Sequence, residues 1–254
     1  MDRFNNLFNM DVLFNIAIVA VPALICITIH ELAHGFTAYK LGDNTAKEQG
    51  RLTLNPIKHI DIMGLVMILL FRFGWAKPVP VNMQNFKNPK FGMAITALAG
   101  PLSNIILAFI VIFIFVLIFA VLPLPNNFWS MLEVFFHAPE GGIHVVSDLS
   151  PGAGVIALII IYLIFVNMAI LNVALAIFNM LPVPPLDGSK ILFSFLPERL
   201  YYKLMRYERF GMIAIIGLMA LGMFTGINII GNIVMVPAHT FFQSVTSFFT
   251  SVVT

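Results

Sequence analysis

Four apolar runs, each long enough to cross a lipid bilayer, constrain this chain more than any other feature: 11–29 continuing to 39, 91–122, 152–181 and 211–236. A spanning helix needs about 20 consecutive apolar residues. A fifth run, 62–71, is too short to cross as a helix and fits a re-entrant piece. The stretch 237–254 is apolar and rich in Ser and Thr, and is expected on or in the membrane. Only 10% of the residues are charged and 59% are hydrophobic, against about 25% charged in a soluble domain. The expected fold is an all-α polytopic membrane protein with four to six transmembrane helices. A re-entrant, partly β-strand segment is expected around 60–82. No internal repeat or linker divides 1–254, so one membrane-embedded domain is expected.

The basic residues orient these spans. Eight of the 14 Lys and Arg fall between 40 and 90, and five between 190 and 209. The 123–151 loop has none and carries Glu133, Glu140 and Asp148. The positive-inside rule puts 40–90 and 190–209 in the cytoplasm and 123–151 outside. The 60–90 stretch must then enter and leave on the cytoplasmic side. A net charge of +2 gives no reason to expect nucleic acid. The single cysteine, Cys26, excludes an intramolecular disulfide and a thiolate-rich metal site. The N-terminus lacks a small-residue cleavage site after its first apolar run, so no cleavable signal peptide is expected.

Against this background, "HELAH" at 30–34 stands out. Positions four apart on a helix share a face, so His30 and His34 can hold one metal ion, with Glu31 beside it. Imidazoles that bind zinc, zinc that acidifies water and a carboxylate that takes the proton make a hydrolase. An ionisable residue inside a span is a functional-site hypothesis by default. The bland alternative is a cluster of histidines hydrogen-bonded to neighbouring helices.

A catalytic zinc usually has three protein ligands. The third must come from another segment at the same depth. His30 lies near the cytoplasmic end of the first span, and Asp187 lies at the cytoplasmic end of the 152–181 span. Glu133, Glu140 and Asp148 are on the far side, and Glu198 and Glu208 lie in the basic loop. His59 and Asp61, which begin the re-entrant segment, remain possible ligands.

Three separated motifs then resemble, in order, those of the site-2 protease family of intramembrane zinc metalloproteases. They are "HELAH" (30–34), "AGPLSN" (99–104) and "NMLPVPPLDG" (179–188). "GRLTLNPIKHIDIMG" (50–64) and "KPVPVN" (77–82) look like the connecting region of compact prokaryotic members. The resemblance implies one Zn2+ per chain held by His30, His34 and Asp187, with Glu31 as general base. It implies hydrolysis of peptide bonds within transmembrane segments of membrane proteins. It also implies a catalytic core over about 11–190, followed by accessory helices over 199–254. Asn179 matches a family asparagine, expected on the same helix as the aspartate. Its amide suits an oxyanion, while an interhelical hydrogen bond is the plainer role for it and for Asn104. The 29-residue loop at 123–151 is too short for a PDZ domain, and no CBS-type regulatory domain is expected after 236. A separate regulatory membrane protein is a possible partner beside the substrate and the lipid bilayer. The implied location is the plasma membrane of a prokaryote, with the site near the cytoplasmic face.

Other features are read against that function. In "WAKPVPVN" (75–82), Val79 and Val81 keep N–H groups that Pro78 and Pro80 lack, which suits an edge that receives a substrate strand. A polyproline connector is the alternative. The prolines of "LPVPPLDG" stop the preceding helix, and Gly188 is expected to free the turn after Asp187. Gly100 and Pro101 read as packing or bend residues. Cys26 reads as a small buried hydrophobe, and His137, His144 and His239 as surface or interfacial groups. "RLYYKLMRYERF" (199–210) reads as an interfacial helix. Two other functions fit part of the pattern. A metal-ion transporter needs ligands on both sides of the membrane, and a catalytically silent relative has no need of an intact site.

Overall fold

The computed structural model describes residues 10–64, 75–122, 124, 128, 153–226 and 229–253. Helix α1 (Met10–Lys40) is followed by a single turn, α2 (Thr45–Glu48), and then by the long α3 (Pro89–Val121) and α4 (Ala153–Met180). After these come two short helices, α5 (Asp187–Ser194) and α6 (Glu198–Met205), and then α7 (Glu208–Thr225) and α8 (Ile229–Val253). Among the described residues three helices are long and apolar enough to cross a membrane: Ile18–Lys40, Pro89–Val121 and Gly154–Met180.

That is fewer than the four to six spans expected. The difference lies at 211–236, which is not one helix. It breaks at Gly226, whose φ of 74° is left-handed and whose N–H bonds the Gly222 carbonyl at 2.9 Å. This is an αL stop, a conformation glycine adopts without strain. Helix α8 then packs one face against α3 and α4. Its Val234 and Ala238 join Ala108 of α3 and Ile170, Val173 and Ala174 of α4 in one apolar cluster.

Helix α3 is the hub on which α1, α4, α5 and α8 all pack. As far as Ala108 it buries small residues, Gly92, Ala94, Ala97, Gly100 and Ala108, which let neighbouring backbones approach closely. Its second half buries Val111, Ile112, Phe115 and Val116 against Ala169, with the Phe115 and Tyr162 rings 5.3 Å apart. The opposite face exposes Phe109, Ile110, Phe113 and Ile114, as a helix bordering acyl chains does.

The expected strand around 60–82 is not a sheet among the described residues. Residues 75–82 are extended chain joined to the other end of the segment by one antiparallel bridge, Ile60 to Ala76, with the Lys77 N–H donating to the His59 carbonyl at 2.9 Å. Pro78 and Pro80 lack the N–H groups that would continue a ladder. Residues 65–74, which include most of the expected re-entrant run 62–71, lie outside the described residues, as do His137 and His144 of the 123–151 loop.

Candidate metal centre

The site forms where α1, α3 and the start of α5 meet. Spacing four along α1 stacks His30 and His34, whose Nε2 atoms lie 2.9 Å apart. Asp187 joins them: its Oδ2 is 3.3 Å from His30 Nε2 and 3.1 Å from His34 Nε2. His30 and Asp187 are each 6% exposed and His34 is 9% exposed. Among the described residues these form one group of ligand atoms within 4.8 Å of one another.

The donor set fits zinc. Ligand atoms around a tetrahedral zinc at about 2.0–2.1 Å stand about 3.3 Å apart, close to the three separations found here. The tautomer of His34 agrees. Its Nδ1 lies 2.7 Å from the Thr96 carbonyl oxygen, which can only accept, so Nδ1 carries the hydrogen of the neutral ring. That leaves the Nε2 lone pair directed at the cluster. Such outer hydrogen bonds orient metal-ligating histidines. Burial works against the charge on Asp187, and the charge of Lys190 favours it. The Lys190 ammonium is 3.4 Å from Asp187 Oδ1.

Local sequence explains how Asp187 arrives there. The Pro-rich stretch 181–186 ends α4 and places Asp187 in the first turn of α5, where a helix dipole favours an anion. Asn179 and Asp187 therefore lie on different helices, contrary to the single helix expected. Gly188 also acts otherwise than expected: a Cβ there would overlap the Met180 carbonyl. It is needed for close approach of α5 to the end of α4.

Glu31 lies beside the triad, and its Oε2 accepts the Val79 N–H at 2.7 Å. Val79 therefore does not present its N–H as the sequence suggested. Among the described residues, the Val81 N–H and the Val79 and Pro80 carbonyls carry no hydrogen bond. The Asn179 amide donates to the Leu175 carbonyl of its own helix at 3.0 Å, and one of its two amide hydrogens remains. Asn104 is fully buried, and neither of its side-chain polar atoms has a partner among the described residues. Cys26 is fully buried, with Sγ 3.7 Å from the Met168 carbonyl. His59 and Asp61 stay outside the cluster: His59 Nε2 donates to the Thr53 carbonyl at 2.9 Å, and Asp61 accepts the Gly64 N–H at 2.8 Å.

A cavity of about 670 Å³ opens over these groups. His30, Glu31, His34, Asn179 and Asp187 face it, with Trp75, Pro78, Val79 and Val81 on one wall. Glu208, Met212 and Ile215 of α7 supply another. The sequence placed Glu208 in a distant basic loop, and only the return of α7 over the site brings it in. Gly100 was read as a packing residue. In the structure a Cβ on it would overlap His34 and stand 2.6 Å from His30 Cε1. It is the floor on which both imidazoles rest.

Known proteins give the same picture. The chain is 40% identical over 195 residues to "Putative zinc metalloprotease YwhC" of Bacillus subtilis, covering 77% of this chain and 76% of that one. Rip2 of Mycolicibacterium smegmatis, which carries the same kind of name, is 28% identical over 65% of this chain and 52% of its own length. A similarly named protein of Methanocaldococcus jannaschii is 31% identical over 70% of each chain. No solved structure matches. The description "Peptidase family M50" matches residues 17–225, a range that takes in the metal triad, Glu31 and Asn179. The chain belongs to peptidase family M50, and its cofactor is zinc.

Proposed function

We propose that this protein is a zinc-dependent intramembrane endopeptidase, which hydrolyses a peptide bond within a transmembrane segment of a membrane protein. The observation that carries the reading is the placement of Glu31, which lines the same cavity as His30, His34 and Asp187, between helices long enough to span a bilayer. Bound zinc supplies Lewis acidity, acidifying water and polarising a carbonyl. Glu31 takes the proton of the attacking water and passes it to the leaving nitrogen. The free amide hydrogen of Asn179 faces the developing oxyanion.

A transmembrane helix must be unwound before it can be cut, and 75–82 supports an extended substrate beside the metal. With the Val79 N–H held by Glu31, the edge offers the Val79 and Pro80 carbonyls and the Val81 N–H. A substrate would be gripped mainly through its own N–H groups. The distribution of Lys and Arg supports a site at the cytoplasmic side of a cell membrane.

The test is cleavage of a panel of single-span helices by purified protein, paired with Glu31→Gln and with zinc measured on both. Cleavage by the parent alone, at equal zinc content, assigns hydrolysis and the base. Equal cleavage by both would remove Glu31 from that role, and no zinc in either would sink the site.

A further inference from the structure

Two buried side chains of opposite charge lie near the active site without neutralising each other. Arg51 is 7% exposed and Asp43 is 0% exposed. Burying a charge without a counter-charge is unfavourable. Here Arg51 is spent on main chain, and Asp43 on main chain and on the Asn85 and Thr45 side chains. Arg51 Nη2 donates to the Lys77 carbonyl at 2.7 Å and to the Pro78 carbonyl at 3.2 Å, while its Nε is buried without a partner among the described residues. Asp43 Oδ2 accepts the Asn82 N–H at 2.7 Å, and its Oδ1 accepts the Asn85 amide at 2.7 Å and the Thr45 N–H at 3.1 Å.

Both sets of bonds reach one extended stretch, 77–82, and they hold its opposite ends. Midway between them is Val79, whose N–H meets Glu31. Its side chain seats on Gly35, one turn beyond Glu31, where a Cβ would stand 2.9 Å from Val79 Cγ1. The stretch is thus pinned at both ends and pressed onto α1 in the middle.

We propose that Arg51 and Asp43 are positioning residues of the proteolytic site. They hold 77–82 against α1 so that the Val79 N–H fixes the Glu31 carboxylate beside the metal triad. The proposal rests on the reading of Glu31 as general base. Neither residue touches the cavity, so each acts through the segment.

The test compares the full-length protein with Arg51→Gln, Arg51→Lys, Asp43→Asn and the Arg51→Gln/Asp43→Asn double variant. Zinc per chain is measured on each. Amide hydrogen exchange is followed in peptides covering 76–82, with the α3–α4 core as reference. The kcat and KM are measured on a single-span helix. Arg51→Gln is expected to keep its zinc and its core protection while exchange at Lys77, Val79 and Asn82 quickens at least tenfold. Its kcat falls about tenfold to a hundredfold, the scale of a small misplacement of a reacting group. Arg51→Lys recovers part of the loss, because a point ammonium reaches one carbonyl but not two. The double variant is little worse than the poorer single one, because releasing either end frees the same segment. Unchanged exchange in Arg51→Gln overturns the proposal, as does faster exchange with unaltered kcat. Losses that multiply in the double variant also overturn it, since they indicate two unrelated structural roles. If Arg51→Gln does not assemble, Arg51→Lys and Asp43→Asn carry the same readouts. A parent protein that cleaves nothing while Arg51→Gln still loosens 76–82 defeats the peptidase reading and with it the catalytic purpose of the clamp. Cleavage by the parent with unaltered exchange defeats the clamp alone.

Discussion

Gly100 supports the imidazole of His34 so closely that a methyl group on its Cα would occupy the space of His34 Cε1 and Nε2. Alanine is the better helix former by about 1 kcal/mol, so Gly100→Ala should favour α3 itself. The expected outcome is nonetheless a loss of zinc affinity of tenfold or more, because the ring must turn away from Asp187. Competitive zinc titration on the folded variant checks this. Unaltered affinity would mean that the ring has room to yield.

Metal removal should destabilise the bundle where α1 meets α5. A ligand that binds only the folded state at a thousand times its Kd adds about 4 kcal/mol. Chelation should therefore lower the Tm in detergent, and added zinc should restore it. His30→Ala should lose that response altogether. A Tm in the parent protein indifferent to chelator would count against a zinc that bridges these helices.

Asn179 should matter to rate more than to binding. Removing one oxyanion donor lowers kcat about a hundredfold to a thousandfold. Asn179→Ala is expected to show such a drop, with zinc content unchanged and KM moved little. A rise in KM alone would assign the side chain to holding substrate, and no change would leave only its bond to the Leu175 carbonyl.

Asp43 sets an acid limit on stability. Its burial raises the pKa, but hydrogen bonds from Thr45, Asn82 and Asn85 outweigh this and hold it below the ordinary carboxylate value. A depressed folded-state pKa contributes stability above the unfolded value, about 3.9. That contribution is lost as pH falls from there through the folded value. The Tm of the parent should drop more steeply than that of Asp43→Asn below about pH 4. Parallel curves for the two would show that the carboxylate contributes nothing.

Much of the centre could be read before any fold was known. His30, Glu31 and His34 declare themselves because helical spacing turns four residues of sequence into one face. Asp187 was one of the candidates that depth allowed, from the expected ends of two spans, and the family resemblance singled it out over His59 and Asp61. What stayed hidden depends on contacts between distant segments. The Val79 to Glu31 bond joins positions 48 apart, and nothing in "KPVPVN" marks which N–H is already taken. Arg51 and Asp43 carried no sequence signal, because burial cannot be read from charge. Gly100 looked like any small residue in a packed helix. The 211–236 run misled for a simpler reason: it contains Gly211, Gly217, Gly222, Gly226 and Gly231, and apolar composition does not say which of them leaves the helix.

The shortage of donors along 78–81 also bears on how the enzyme treats itself. Edges of extended chain ordinarily risk pairing with their own kind. Here two prolines have no N–H and the Val79 N–H is engaged by Glu31. Two copies brought edge to edge would set mostly carbonyls against each other, with the Val81 N–H as the one donor left among residues 78–81, and would pair poorly. On the function proposed above, an unwound substrate would bring the N–H groups that the edge lacks, so the chemistry that suits a foreign strand would disfavour a sister molecule.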